Sequence, residues 1–310
     1  MRILYHKKQM TREEWLQHRS EGIGGSDVSI IAGLNKYKSI YELWQEKTGE
    51  VSLKETESEM AYWGSVLENV VKQEFMKRTG LKVRAKNMIL QHEKYPFMIA
   101  DVDGVVRDEE GDLCIFEAKT AIEYKKEAWE QGVPEAYQLQ VQHYLAVTGY
   151  KKAYVAALVG GNKFYIKEIQ RDEEMIELII AMEEKFWNCV VKREMPKPDG
   201  TEQTGQWLDN YYKRVEDSKI LLPEESKGWI DHYLAVNEEL KRLNEEKKEL
   251  ANRLKLLLQN KTEGVIGMYQ VRWNPTVTER LNSKKLKVEQ PDIYEQYVER
   301  IEGRRFSIAG

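Results

Sequence analysis

Two kinds of residue in one stretch of this chain have the types and spacing to do chemistry: acids at Asp101, Asp103 and Glu117, and an amine at Lys119. The run Ile99-Ala100-Asp101-Val102-Asp103-Gly104-Val105-Val106, a polar break at 107–111, and the run Asp112-Leu113-Cys114-Ile115-Phe116-Glu117-Ala118-Lys119-Thr120 read as a β-hairpin, because Asp, Glu and Gly at the break favour a turn between half-buried strands. Strand alternation sends Cys114, Phe116 and Ala118 to one face and Ile115, Glu117 and Lys119 to the other. By the same period Asp101 and Asp103 share a face. Acids and a lysine converging there form a hard-oxygen site suited to Mg²⁺, with the lysine stabilising a hydroxide and orienting its attack on a phosphodiester. Taken singly, Glu-x-Lys on a strand is far more often a solvated same-face ion pair, so the rest of the chain has to decide.

The totals narrow the field. With 310 residues the chain has room for one large domain and an appended module, and 41% hydrophobic with 10% aromatic residues can fill a core. No run of eighteen apolar residues and no signal peptide is expected, which predicts a soluble, intracellular protein without a membrane segment. Two cysteines, Cys114 and Cys189, are too few for a thiolate zinc ribbon or an iron–sulfur cluster and read as small buried hydrophobes. A net charge of −4 argues against a protein that coats DNA generally, but an acidic surface and a basic channel can coexist.

The elements that must position the acids follow in order. Residues 11–19 predict a helix opened by a Thr11/Glu14 capping box. The glycine run Gly22-Ile23-Gly24-Gly25 precedes a helix at 28–34 with Ser26 as its expected cap, an anion site in outline, although composition alone favours an ordinary glycine turn with a serine cap. Helices are predicted at 39–47, stopped near Gly49, and at 56–79, ending at Gly80, the latter with Met60, Trp63, Leu67, Val70, Val71 and Phe75 at core spacing and Glu68 beside them. A strand at 83–91, the hairpin, helices at 123–131 and 134–147, strands at 153–159 and 163–169 joined by Gly160-Gly161-Asn162, and a helix at 173–193 complete the core. Tyr137, Gln140 and Tyr144 share one face of the 134–147 helix, and Gln142 lies away from it. The expected architecture is α/β (α+β), a mixed sheet of about five strands flanked by helices over residues 1–200.

Residues 201–310 read as an extension. Trp229, Tyr233, Val236, Leu240, Leu243, Lys247, Leu250, Leu254 and Leu257 alternate in steps of four and three, a heptad seam within a long helix at 224–260. It predicts half of an antiparallel helical arm or an oligomerising coiled coil. Strands at 264–273 and 276–281, a helix at 291–297 and a basic, aromatic-flanked tail at 300–305 follow.

Together these motifs resemble the phage lambda exonuclease and YqaJ type of viral recombinase, within the restriction-endonuclease-like PD-(D/E)xK nucleases. The matching pieces are Arg19 with Gly22-Ile23-Gly24-Gly25-Ser26-Asp27, Trp63-Gly64 with Glu68, Asp103-Gly104, Glu117-Ala118-Lys119 and Gln138-Leu139-Gln140-Val141-Gln142-His143-Tyr144. The resemblance selects Asp103, which directly precedes glycine, over Asp101; Val102 stands where the family's nominal proline would be. It implies Asp103, Glu117, the Ala118 carbonyl and Glu68 as ligands of Mg²⁺, with Mn²⁺ as a substitute. Lys119 becomes the catalytic lysine, and Gln140 positions water or the scissile phosphate. Arg19 and Ser26 would hold a 5′-terminal phosphate, with Gly25 and Gln142 also at the DNA.

The activity implied is 5′→3′ digestion of duplex DNA from its ends, leaving a 3′ single strand for a cognate annealing protein during phage or prophage recombination in the bacterial cytoplasm. A homo-oligomer, a trimer in lambda-type members, is implied as well, although the extension is foreign to that core. Two other readings stand beside this one. One is a nicking or structure-specific endonuclease on the same fold, which closed circular duplex would separate. The other is a DNA- or protein-binding module with a vestigial nuclease core, against which the joint presence of Asp103, Glu117 and Lys119 speaks.

Overall fold

The structure, a computed structural model, describes residues 1–7, 10–51, 58–216, 218–299 and 304–309. Thr56, which opens the predicted 56–79 helix, and residues 300–303 of the basic tail lie outside them. Contacts divide the chain into Met1–Tyr211 and Tyr212–Gly310. Among the described residues no helix is long and apolar enough to cross a membrane.

In the first unit, Thr11 and Glu14 close the expected capping box on helix α1 (Arg12–Ser20), and Ser39 with Glu42 closes another on α3 (Ile40–Thr48), which stops at left-handed Gly49. Between them lies the short α2 (Gly25–Ile31). The main sheet is mixed and five-stranded: β2 (Val83–Arg84), β5 (Gly104–Arg107), β6 (Leu113–Ala121), β7 (Lys152–Val159) and β8 (Lys163–Gln170), in that spatial order. β6 runs antiparallel to β5 and parallel to β7, with α6 (Glu135–Thr148) in the crossover connection.

One face of β6 presents Cys114, Phe116 and Ala118 to Val71 and Phe75 of α4 (Glu59–Thr79). The other buries Ile115, with Val155 and Ala157 of β7, against Val141 and Leu145 of α6. The helix α7 (Glu173–Lys192) packs behind α6 through Ile176 and Ile179. This is the alternation expected of a central strand covered on both faces.

Several expectations for this unit are corrected. The segments 83–91 and 99–106 are not single strands. Each is cut in two, and β3 (Met88–Gln91) and β4 (Ile99–Ala100) join β1 (Arg2–His6), which sequence reasoning missed, in a second sheet of three strands. The break after Ala100 frees the carboxylates of residues 101 and 103 for contacts outside the ladder, and pairing restarts at Gly104, where a Cβ would meet Val83 Cγ1 at 2.6 Å and no side chain fits. On α4 only Val71 and Phe75 are buried, where they pack on Phe116 and Tyr154 of the sheet, and Met60, Trp63 and Val70 are exposed. The 123–131 helix begins as a 3₁₀ turn (Glu123–Lys125) before α5 (Lys126–Gln131).

Helix α8 (Glu202–Tyr211) falls within the first unit, beyond the boundary expected at residue 200. Trp207 stacks on Tyr41 at 4.4 Å and donates to Gln45 Oε1 at 3.1 Å, contacts too distant in sequence to be read from it.

The second unit is built on α9 (Ser226–Leu258), followed by a hairpin of β9 (Glu263–Ile266) and β10 (Tyr269–Arg272), then α10 (Ser283–Glu289) and α11 (Pro291–Tyr297). The strand expected at 264–273 turns back on itself at Gly267, whose φ is +55°. Residues 276–281 form no strand, and α10, capped by Asn282, was not anticipated.

Candidate active site

The period of two on β6 places Glu117 and Lys119 side by side, facing α6. Lys119 Nζ donates to Glu117 Oε1 at 2.7 Å and to Gln140 Oε1 at 3.0 Å, and Gln140 Nε2 donates to the same Glu117 oxygen at 2.8 Å. Gln140 Nε2 also lies 3.1 Å from the Tyr144 hydroxyl, and the Tyr137 ring centroid lies 4.9 Å from the ammonium. The shared face of α6 thus locks the amine and the acid into one network. Glu117 Oε2 is buried and has no hydrogen-bond partner. Asp103, in the break between β4 and β5, accepts the Ala118 N–H on Oδ2 at 2.8 Å, which seats it directly against β6.

Burial and then repulsion from Asp103 push Glu117 up to about 8, and burial likewise raises Asp103. Glu68 is raised by burial and then by Asp103. Lys119 moves the other way from what burial alone would do, because Glu117 and Asp103 hold its charge. The three acids therefore crowd negative charge into one cavity of about 350 Å³, which Lys119, Gln140 and Tyr144 also line.

Among the described residues no three His, Cys, Asp or Glu side chains close into a ready metal cluster. Asp103 is drawn to a backbone N–H and Glu117 to Lys119, so the acids border one space without meeting at a point. The donor set still suits a hard divalent cation: carboxylate oxygens, one of them orphaned, in a site where added positive charge would relieve the repulsion.

Asp101 parts from Asp103. It accepts Lys7 Nζ at 2.6 Å and Trp15 Nε1 at 2.8 Å, tying the N-terminal segments to the start of the site.

A second cavity of about 660 Å³ shares Ser65, Glu68, Asp103 and Tyr144 with the first and is lined by Lys7, Arg19, Lys72 and Lys86, with Trp15. Arg19 Nη2 donates to Ser26 Oγ at 2.8 Å, and its guanidinium lies 5.0 Å from the Trp15 ring centroid. The two residues expected at an anion site are therefore together, but the helix start differs from expectation: Gly24 is the cap, and its N–H is taken by Asp27 Oδ2 at 2.9 Å. Cationic side chains, Lys7, Arg19, Lys72 and Lys86, bring positive charge to this cavity.

The reason Asp27 does not consume Arg19 is Lys47, a buried residue that sequence reasoning read only as a helix end. Its ammonium sits 2.7 Å from Asp27 Oδ2 and donates to the Arg19 carbonyl at 2.7 Å. Against the cost of burial, Lys47 and then Arg19 hold Asp27 down to about 2. The Arg19 guanidinium stays 3.7 Å from that acid.

Gly25 connects the cavities by what it lacks. A Cβ there would lie 2.5 Å from Tyr144 Cε1 and 3.0 Å from Gln140 Cγ. Gly25→Ala is expected to displace Gln140 from Lys119 and lower turnover at this site by about 10²-fold while the fold survives, checked by single-turnover kinetics beside a thermal melt.

Gln142, expected at the DNA, is instead buried. It donates to the Gln170 carbonyl at 2.7 Å and accepts the Asp172 N–H at 3.1 Å, pinning α6 to the turn between β8 and α7. The one-face argument that separated it from Gln140 was the signal.

Comparison with known proteins follows the same stretch. The model of the YqaJ-like viral recombinase domain matches residues 14–151. A Bacillus subtilis (strain 168) protein, described as uncharacterized protein YqaJ, is 44% identical over 311 residues, covering 99% of this chain and 97% of that one. The crystal structure of an alkaline exonuclease from Laribacter hongkongensis is 20% identical, covers 58% of this chain and 93% of its own, and superposes with a TM-score of 0.48. A phage-related exonuclease from Haemophilus somnus 129PT is 15% identical over 56% of this chain and 96% of its own, with a TM-score of 0.41.

Proposed function

Because the chain belongs to the YqaJ-like viral recombinase family, we propose that it is a metal-dependent exonuclease that digests duplex DNA from 5′ ends and leaves 3′ single strands for recombination by annealing. The observation that carries this reading is the buried set of Glu117, Lys119 and Gln140 facing Asp103 and Glu68, opening beside a second cavity lined by Arg19 and Ser26.

Glu117, Asp103 and Glu68 would hold Mg²⁺, for which Mn²⁺ could substitute, with the Ala118 carbonyl as a further donor. Bound there, the ion supplies Lewis-acid polarisation of the phosphodiester and a water of lowered pKa. The chain's own groups do the rest. Lys119 keeps its proton and offsets charge that grows on the phosphate oxygens in the transition state. Gln140 fixes the orientation of both Glu117 and Lys119. In the adjoining cavity Arg19 and Ser26 receive the terminal 5′-phosphate; Asp27 pairs closely with Lys47 at 2.7 Å and only at 3.7 Å with Arg19, which keeps the guanidinium able to turn to the phosphate. A phosphate seated there positions the next phosphodiester at Lys119, which would make the reaction end-dependent. The product strand would pass to a cognate annealing protein in the cytoplasm of the bacterial host.

The test is hydrolysis of linear duplex bearing a 5′-phosphate or a 5′-hydroxyl, beside closed circular duplex, over a Mg²⁺ titration from chelator upward. Digestion of the 5′-phosphorylated ends, no attack on the circle and no turnover in chelator are expected. Attack on the circle would instead favour an endonuclease. Arg19→Ala is expected to reduce turnover of 5′-phosphorylated ends by about 10- to 100-fold, the worth of a charge-assisted contact, and to leave 5′-hydroxyl ends nearly unchanged.

A further inference from the structure

The second unit offers a surface that the nuclease reading does not use. On α9 the seam residues Val236, Leu240, Leu243, Leu250, Leu254 and Leu257 are between 43% and 79% exposed, although together with Lys247 they keep a strict alternation of three and four. Toward the start of the seam Tyr233 meets the Phe306 ring at 5.7 Å, and toward its end the β9–β10 hairpin takes Leu258 and the Lys255 ammonium, both off the seam. Ion pairs flank the stripe: Glu239 with Arg242 at 2.6 Å and Glu249 with Arg253 at 2.5 Å. Among the described residues of this unit α9 is the one helix of such length, 33 residues or about 50 Å, so the antiparallel arm the heptads also allowed has no second strand in it.

We propose that a second copy of the chain covers this seam, the two α9 helices pairing parallel and in register as a two-stranded coiled coil. A repeat of 3.5 residues stays on one line only along a helix that winds around another helix; on a straight helix against a globular surface the stripe would drift. The choice of partner comes from Lys247. In heptad terms it occupies an a position, preceded by Glu246 at g. An in-register copy sets each Lys247 ammonium beside the Glu246 carboxylate of the other, so the one charged seam residue is compensated by its own sequence at the same height. Three copies would crowd three ammonium groups into one layer.

The flanking positions agree. Glu239 would face Asn244, Glu246 would face Ala251 and Arg253 would face Leu258, with no like charges opposed. Leucines at Leu243, Leu250 and Leu257 fill the d layers.

Sedimentation velocity on the full chain tests this. The wild type should sediment at twice the mass of Leu250→Asp, a change at a solvent-facing position that far-UV circular dichroism should show folded. Lys247→Leu should lower the dissociation concentration by about tenfold or more, since a buried charge in the seam costs stability. Leu250→Cys should form a disulfide-linked dimer on oxidation, because d positions of a parallel in-register pair face each other. A wild type that is monomeric at tens of micromolar, an assembly whose mass Leu250→Asp leaves unchanged, or a dimer that fails to link through residue 250 would each overturn the pairing.

Discussion

Lys119→Met is expected to lower the rate of duplex-end hydrolysis by about 10³-fold or more, and Glu117→Gln to do the same, with the double variant little worse than either. Methionine keeps the length of the lysine stem and removes its ammonium, with the charge and the hydrogen bonds to Glu117 and Gln140, so the loss reports the role of that ammonium rather than of the stem. The two effects should overlap rather than add, because one hydrogen-bonded unit joins Lys119, Glu117 and Gln140.

The same pair of variants gives a readout that does not depend on turnover. Glu117 is raised from an unfolded value of 4.5 to about 8, chiefly by burial. Between these values the folded chain binds a proton at Glu117 that the unfolded chain has lost, so without metal the contribution of Glu117 to stability should fall as pH rises from about 4.5 to about 8. Glutamine carries no such proton. In chelator Glu117→Gln should therefore unfold later than the wild type at pH 8, with a gap on the order of a few kcal/mol that closes toward pH 4.5. Mg²⁺ should stabilise the wild type and leave Glu117→Gln nearly unmoved. Urea melts at several pH values, with and without Mg²⁺, check all of this. Melts of the two proteins that stay parallel across the range would mean that Glu117 is not held in a charge-poor, acid-crowded pocket.

How far the site could be read in advance follows from the range of the forces that build it. The facing of Glu117 and Lys119 rests on the two-residue period of one strand, and the facing of Gln140 on helical spacing, both local, so both were legible. Asp101 and Asp103 look equivalent along a strand. They separate only because Lys7 and Trp15 claim the first and the Ala118 N–H claims the second, across sequence gaps no local pattern reports. The same holds for Lys47, whose partner Asp27 lies on another helix. Helix α4 misled for a related reason. Its apolar spacing is genuine, but which of those residues are covered depends on the surface the helix packs against, and Val71 and Phe75 find the sheet while Met60, Trp63 and Val70 stay exposed. Ser26 lies two positions past the cap, Gly24, whose N–H is taken by the Asp27 side chain.

The largest loss of stability should come from a residue that touches none of the reacting groups. His143 is fully buried; its Nε2 donates to the Ile99 carbonyl at 2.9 Å, and its Nδ1 lies 2.6 Å from Glu183 Oε1. It thereby ties α6, which carries Gln140 and Tyr144, both to α7 and to the strand that leads into Asp103. Burial opposes the imidazolium, but Glu183 and the Ile99 carbonyl raise His143 above its ordinary 6.5.

His143→Ala leaves the Glu183 carboxylate buried and unpaired and is expected to cost about 3–5 kcal/mol, whereas His143→Leu combined with Glu183→Met should recover most of that, since an apolar pair of similar volume needs no counter-charge. The pH dependence has a definite sign. A raised histidine contributes its full stability below the unfolded value of 6.5 and loses it as pH climbs through the higher folded value. Glu183→Gln can still hydrogen-bond a neutral imidazole but cannot hold a charged one. The stability gap between wild type and Glu183→Gln should therefore be widest below pH 6.5 and narrow above it. If activity falls in His143→Ala only in proportion to the unfolded fraction, the pair serves stability alone. A loss of turnover in the folded fraction would show that this buried pair also sets the spacing between Gln140 and Asp103 across which the phosphodiester must fit.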